Sequence, residues 1–242
     1  MSLICRLEAS WFQATRPYIQ NLRRQLLVDS VLWSIVKDGA RRGLAECQKV
    51  FNSNRWSCPV EMYKKLPIFN NMTFPYATRE TAFIHAISAA AITDEIAHQC
   101  THNMTPGCDC PKKPTMYNAH EVVTWGCGDN IEFGEKEAGR FTDRLETGPD
   151  ALVAVNLHNN EVGREVLRSS AKIDCICYGA KRTCEFKHCW KEMAPFDVVA
   201  SKLKEKYFDA VQVWFVCAEK YFEITCNAPK PVVTGIQARA HP

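Results

Sequence analysis

Thirteen cysteines in 242 residues are the side chains with the most chemistry to offer. Four fall within one fifteen-residue run, Cys175-Ile-Cys-Tyr-Gly-Ala-Lys-Arg-Thr-Cys-Glu-Phe-Lys-His-Cys189, and Trp190 follows. Such a cluster can ligate a metal or form disulfides. The zinc candidates are Cys108-Asp-Cys110 with His98 or His102, or the finger itself as a four-cysteine site. The Cys-x₂-Cys spacing that zinc fingers favour occurs nowhere, so cross-linking is favoured, and no metal or other cofactor is expected. A run this short cannot bury a core of its own, so covalent bonds must set its shape. The nested pairing joins Cys175 to Cys189 and Cys177 to Cys184. It leaves Tyr178, Gly179, Ala180, Lys181, Arg182 and Thr183 at the tip, where Gly179 can take the positive φ of a tight turn. A rigid tip carrying a tyrosine and two cations is a contact device. It has no acid, base or nucleophile beside it, so no catalytic residue is assigned.

The other titratable groups add no reaction centre. The seven histidines are read as forming no His-x-x-x-His pair, with none in a hydrolase-like turn beside serine or cysteine. His158 is read as a structural hydrogen-bonding residue at a helix surface. Glu132, Glu135 and Glu137 are read as a solvated helix face. A net charge of +3 is too weak to point to nucleic acid. Hydrophobic content of 46% with 24% charged residues describes an ordinary globular protein. No apolar stretch approaches the roughly 18 residues of a membrane span. The longest, Ala82 to Ile92, is interrupted by His85 and Ser88, so no membrane anchor is expected. The cysteines, with glycosylation sequons at Asn71-Met-Thr73 and Asn103-Met-Thr105, fit a secreted, extracellular protein. Met1 to Arg6 breaks its apolar run at once, so the chain is expected to start after a removed leader or to be a recombinant piece.

The elements that position the finger are mostly helical. A helix is expected after Pro17. A clearer one spans about 30–52, capped by Asp29 or Ser30, with Val31, Leu32, Ile35, Val36, Leu44, Cys47, Val50 and Phe51 on one face. Gly39 and Gly43 permit a close neighbour, and a Cys47–Cys58 bridge would pin the following loop back onto this helix. Residues 59–77, with prolines at 59, 67 and 75, read as loop. The alanine-rich stretch from Thr78 to Cys100 reads as a central helix capped by Thr78, with others packed closely around it. Cys100, Cys108, Cys110 and Cys127 staple an aperiodic loop. Asp129 starts a helix to about Glu146, with Ile131, Phe133, Phe141 and Leu145 inward. Asp150 caps the next. Pro195 to Asp197 lead into a helix ending near Lys206. Residues 210–217 and 221–226 alternate as two strands around Ala218-Glu219-Lys220, with a possible Cys217–Cys226 bridge. Residues 227–242 read as a linker after a domain spanning 1–226.

Five motifs then carry a resemblance. They are Glu46-Cys47 to Arg55-Trp56-Ser57-Cys58, Arg79-Glu80-Thr81-Ala82-Phe83 with Ala86-Ile87, Trp125-Gly126-Cys127-Gly128-Asp129-Asn130, Asn156-Leu157-His158-Asn159-Asn160 with Gly163-Arg164, and the finger closing on Cys189-Trp190. In this order the chain resembles the N-terminal domain of the Wnt family. The resemblance implies a mainly α fold: a disulfide-stapled helical bundle with a stapled β-hairpin thumb and a short C-terminal β-hairpin. It implies the pairs Cys47–Cys58, Cys100–Cys108, Cys110–Cys127, Cys175–Cys189 and Cys177–Cys184. It implies a monomeric secreted ligand whose thumb grips the cysteine-rich domain of a Frizzled receptor. A co-receptor contact would lie in a cysteine-rich C-terminal domain beyond the linker.

The departures matter most at the tip. The family finger reads Cys-His-Gly-x-Ser-x-Ser-Cys, and its first serine carries an unsaturated fatty acyl group. Here Tyr178 replaces the histidine and Lys181 replaces that serine. A lysine cannot form the serine ester, so an unlipidated thumb is expected. The Trp-Gly-Gly-Cys turn is one glycine short, and an early cysteine near residue 27 is missing. A receptor-binding antagonist that does not cluster a co-receptor is the alternative function. A secreted hydrolase is disfavoured by the lack of a catalytic constellation.

Overall fold

A computed structural model describes residues 30–66, 68, 77–102, 107–111, 122–146, 151–179, 184, 186–211, 216–220 and 223–227. The expected first helix, the caps Asp29 and Asp150, both sequons, tip residues 180–183 and the linker after 227 lie outside them.

Helix α1 runs Ser30–Val50 and a single turn, α2, covers Val60–Tyr63, where only loop was expected. Helix α3, Arg79–Thr101, is the axis of the fold. Its residues are buried without a break from Thr81 to Asp94, as befits a helix apolar on every side. Thr78 caps it: its hydroxyl accepts from Thr81 N–H while the Thr81 hydroxyl accepts from Thr78 N–H, a reciprocal capping box. Helices α1, α4 (Ile131–Thr142), α5 (Ala151–Ser170) and α6 (Phe196–Phe208) all pack on α3.

Small residues set those crossings. A Cβ on Gly163 of α5 would overlap the Ala86 carbonyl oxygen and lie 2.8 Å from its carbon. The Ala86-Ile87 and Gly163-Arg164 motifs are thus the two halves of one helix contact. The Cys47–Cys58 bridge holds the post-α1 loop, which sets Trp56 edge-on against Phe51 at 4.8 Å. Phe83 and Tyr207 each meet Phe51 edge-on at 4.9 Å. These tilted aromatic pairs add to simple burial.

Three strands form a sheet in the order β1 (Val122–Trp125), β3 (Phe186–Glu192), β2 (Lys172–Tyr178). Strands β2 and β3 are the expected antiparallel hairpin. Strand β1, in a stretch read as loop, lies parallel to β3. A parallel pair needs a long crossover, here supplied by α4 and α5. Strands β4 (Val216–Lys220) and β5 (Glu223–Asn227) pair antiparallel with Cys217 opposite Cys226. Residues 218–220 are therefore strand, not the turn expected there.

Helix α4 corrects three readings. Its cap is Asn130, whose side chain accepts from Phe133 N–H, not Asp129, and it ends at Thr142 rather than near Glu146. Glu137 is buried and paired with Arg140, and Glu135 pairs with Arg168, so only Glu132 of the three glutamates is exposed. The asparagines around His158 are buried rather than superficial. Asn156 donates to Glu146 at 3.0 Å and Asn160 to Asp143 at 3.1 Å, while Arg164 grips both Asp143 oxygens at 3.0 and 2.8 Å. This ties α5 to the chain that follows α4. A two-pronged guanidinium–carboxylate pair is among the strongest side-chain links.

Candidate functional site

The stem of the finger is held by two bridges, Cys175–Cys189 and Cys177–Cys184. Cys175 sits opposite Cys189 in the β2–β3 register, so the outer of the nested bridges spans a directly paired position. Alternation along the strands then sends Ile176 and Tyr178 of β2, with His188 and Phe186 opposite them on β3, to the other face. Tyr178 is 55% exposed, Phe186 51% and Ile176 46%. An apolar strip therefore runs up one face of the stem to the tip. Gly179 is exposed, and Ala180, Lys181, Arg182 and Thr183 lie outside the described residues.

The base of the finger is braced by the Trp125–Asn130 motif, and each of its residues has a task. Trp125 ends β1 opposite Cys189. Gly126 N–H donates to the Cys189 carbonyl at 2.8 Å, and Asp129 N–H to that of Lys191 at 2.9 Å. Cys127 is bonded to Cys110. Gly128 lies so close to β3 that a Cβ would overlap the Lys191 carbonyl oxygen and sit 2.7 Å from its nitrogen. The Asp129 carboxylate accepts from Met193 N–H at 2.9 Å and from the Thr101 hydroxyl at 3.2 Å. The motif thus fastens the end of β3 to both α3 and α4. On β1 the Thr124 hydroxyl sits 2.9 Å from His188 Nδ1.

Two buried titratable groups lie below this region. Burial pushes the His85 imidazole down to about 4, against an opposing hydrogen bond that the ring donates to Asn160; Glu146 lies 3.4 Å from its Nδ1. Burial raises the Asp94 carboxyl to about 6, opposed by the Arg42 guanidinium that it pairs with. His85 borders a cavity of about 10 Å³, the size of one water. Both groups are parts of the core.

The cysteines named as zinc candidates are each cross-linked in a disulfide pair. Cys108 is bonded to Cys100 and Cys110 to Cys127, so their sulfurs are committed. Among the described residues no group of three or more histidine, cysteine or acidic side chains is arranged to hold a metal. One histidine reading needs correction. His98 and His102 are one turn apart at the end of α3, a His-x-x-x-His spacing plain in the sequence, and their Nε2 atoms are 3.3 Å apart.

The comparisons agree with this architecture. The wnt family profile matches residues 18–237. The chain belongs to the Wnt family. It is 35% identical to human Wnt-8b over 210 residues, 86% of this chain and 58% of that protein. It is 37% identical to Xenopus laevis Wnt-8 over 176 residues, covering 72% and 48%. A chain in the structure of human WLS in complex with WNT8A matches with a TM-score of 0.57 and 35% identity, covering 74% of this chain and 60% of that one. The Drosophila WntD N-terminal domain-linker matches with the same TM-score at 22% identity, covering 86% and 94%. At that identity the WntD likeness is one of fold. The chain spans about half to three-fifths of the length of these Wnt-8 relatives. Wnt proteins are signalling ligands, not enzymes. Among the described residues no helix is long and apolar enough to cross a membrane.

Proposed function

We propose that this Wnt chain is the N-terminal part of a secreted ligand that engages a Frizzled cysteine-rich domain through a non-acylated thumb, residues 177–184. One observation carries the reading: Lys181 stands where the family finger has its acylated serine, on a stem stapled twice and braced at its base. A stem of this stiffness presents a tip without much ordering cost on binding. Residues 1–226 then form the ligand's helical domain and 227–242 the linker to a co-receptor-binding half. A Cys217–Cys226 bridge is part of the same reading, since their backbones are directly opposite.

The test is direct binding of the full-length secreted protein to a panel of Frizzled cysteine-rich domains. Lys181→Glu with Arg182→Glu is expected to weaken binding at least tenfold. Unchanged affinity refutes a polar thumb, and binding to no Frizzled removes the receptor class. The unlipidated protein is also expected to leave cells that lack the membrane O-acyltransferase. Its retention there contradicts the reading.

A further inference from the structure

The C-terminal turn of α3 carries a second arrangement, away from the finger's tip and sharing only Asp129 with the brace at its base. His98 and His102 face each other with Nε2 atoms 3.3 Å apart, and both rings are solvent-exposed. On the far side of the His98 ring, Nδ1 faces Asp129 Oδ1 at 3.4 Å. The carboxylate favours the proton on Nδ1 of His98, which leaves its Nε2 as a bare lone pair aimed at His102. At 3.4 Å this is a charge contact rather than a hydrogen bond; drawn tighter by a bound cation, it becomes the carboxylate–histidine relay that orients imidazole ligands in metal sites.

The spacing suits a tetrahedral cation. Two imidazole nitrogens each about 2.0–2.1 Å from zinc, at a tetrahedral angle, are separated by about 3.4 Å. The end of a helix also presents the negative pole of its dipole, which favours a bound cation. Asp129 itself is fixed by Thr101 and by the Met193 N–H, so the relay is anchored to two elements.

The geometry points to a surface site for a divalent zinc-type cation, ligated by Nε2 of His98 and Nε2 of His102, with Asp129 as positioning residue. Water, or a donor from a partner molecule, completes the coordination. In the neutral, metal-free pair His102 donates its Nε2–H to His98. Binding places the cation where that proton was, and His102 adopts its Nδ1–H form.

The test is calorimetric titration of the full chain, free of affinity tags and with any free thiols alkylated, with zinc chloride at neutral pH. One saturable site is expected. His98→Ala and His102→Ala should each weaken it at least tenfold, and the double variant should abolish it. Asp129→Asn should weaken it about 10- to 100-fold. Both rings are exposed, so the histidine variants should keep the parent's melting curve. Imidazole ¹⁵N shifts should place the metal on Nε2 of both rings, a signature that a purely structural effect does not produce. Equal affinity in the double variant, loss in only one single variant, or no saturation up to about 1 mM zinc overturns the site.

Discussion

The helix crossing at Gly163 gives a sharp test, because the same substitution elsewhere should have the opposite sign. Gly to Ala in a helix interior is worth about 1 kcal/mol in propensity, all in favour of alanine. At Gly163 the new methyl would overlap the Ala86 carbonyl oxygen, with the carbonyl carbon at 2.8 Å and Cα at 3.0 Å. These are backbone atoms in the middle of α3, so no side chain can rotate away. The helices must separate by about half an ångström or more, which forfeits roughly a quarter of the dispersion energy at each contact along the seam. Val162, Val166 and Leu167 are buried there. Overpacking of this kind costs about 1–3 kcal/mol, and the rigidity of both partners puts Gly163→Ala at the upper end. The net expectation is about 1–2 kcal/mol of destabilisation. Gly139 of α4 meets only the Asp143 carboxylate, at 3.4 Å, so Gly139→Ala should stabilise by about 0.5–1 kcal/mol. The assay is guanidinium unfolding of the oxidised protein, with m-values unchanged in both variants. If the two shift the midpoint in the same direction, the crossing is not set by that glycine.

Other expectations are simpler. Thr78→Ala removes one half of the capping box on α3 and should cost about 1 kcal/mol in the same unfolding assay. Replacing Cys175 and Cys189 by serine opens a bridge with a sequence separation of 14; the cost should be about 3 kcal/mol. Hydrogen exchange should show the loss confined to β2 and β3, with α3 protected. Asp94 and His85 tilt the pH profile in opposite senses. Asp94 titrates near 6 when folded and at 3.8 ordinarily, so the folded state holds the extra proton, and its term weakens the protein as pH rises from 4 to 6. Relative to wild type, Asp94→Asn should therefore gain about 3 kcal/mol across that window. His85 titrates near 4 rather than 6.5, so its term strengthens the protein as pH rises, and His85→Gln should lose about as much relative to wild type between pH 4 and 6.5. Chemical unfolding at several pH values checks both. A D94N difference that falls with pH would mean that the Arg42 pairing outweighs burial.

The sequence was most informative where one residue type had one use. Alanine density made α3 legible, and Thr78 was legible as its cap, because a helix buried on all sides leaves few alternatives. The nested cysteines of the finger were legible because their spacing admits one simple hairpin. Strand β1 was not. Four residues that join a sheet only through β3, some sixty positions later, leave no local period. Asp129 was misread as a helix cap because Asp and Asn are equally good caps. Its carboxylate is instead held by Thr101 and Met193, and only the folded chain brings those together. The burial of Asn156, Asn159 and Asn160 escaped for a similar reason: asparagine is usually exposed, and its partners Glu146 and Asp143 sit on the turn after α4. The His98–His102 spacing, by contrast, was present in the sequence and needed no structure to be seen.

On the proposed reading, a finger without an acyl chain must draw its affinity from other atoms, and magnitudes indicate which. Each buried CH₂ of a fatty chain is worth about 0.8 kcal/mol, whereas a solvent-exposed ion pair is worth about 0–1 kcal/mol. Lys181 and Arg182 together therefore replace at most two or three methylenes. Fully burying a large apolar side chain yields about 1.5–3 kcal/mol. About half of Tyr178 and of Phe186 is still exposed, which leaves about 2–3 kcal/mol for the pair to gain against a partner. On the proposed reading, the strip beside the tip should thus outweigh the charges at its end, with the cations governing encounter rate and salt dependence. Tyr178→Ser with Phe186→Ser should raise the receptor Kd by about 30- to 150-fold, mostly through faster dissociation. Lys181→Ala with Arg182→Ala should raise it by tenfold or less, and that effect should fade in high salt. Surface plasmon resonance at two ionic strengths separates the cases. If neutralising the two cations costs more than removing the two rings, the finger binds as a charged point, and the apolar strip on its stem serves some other contact.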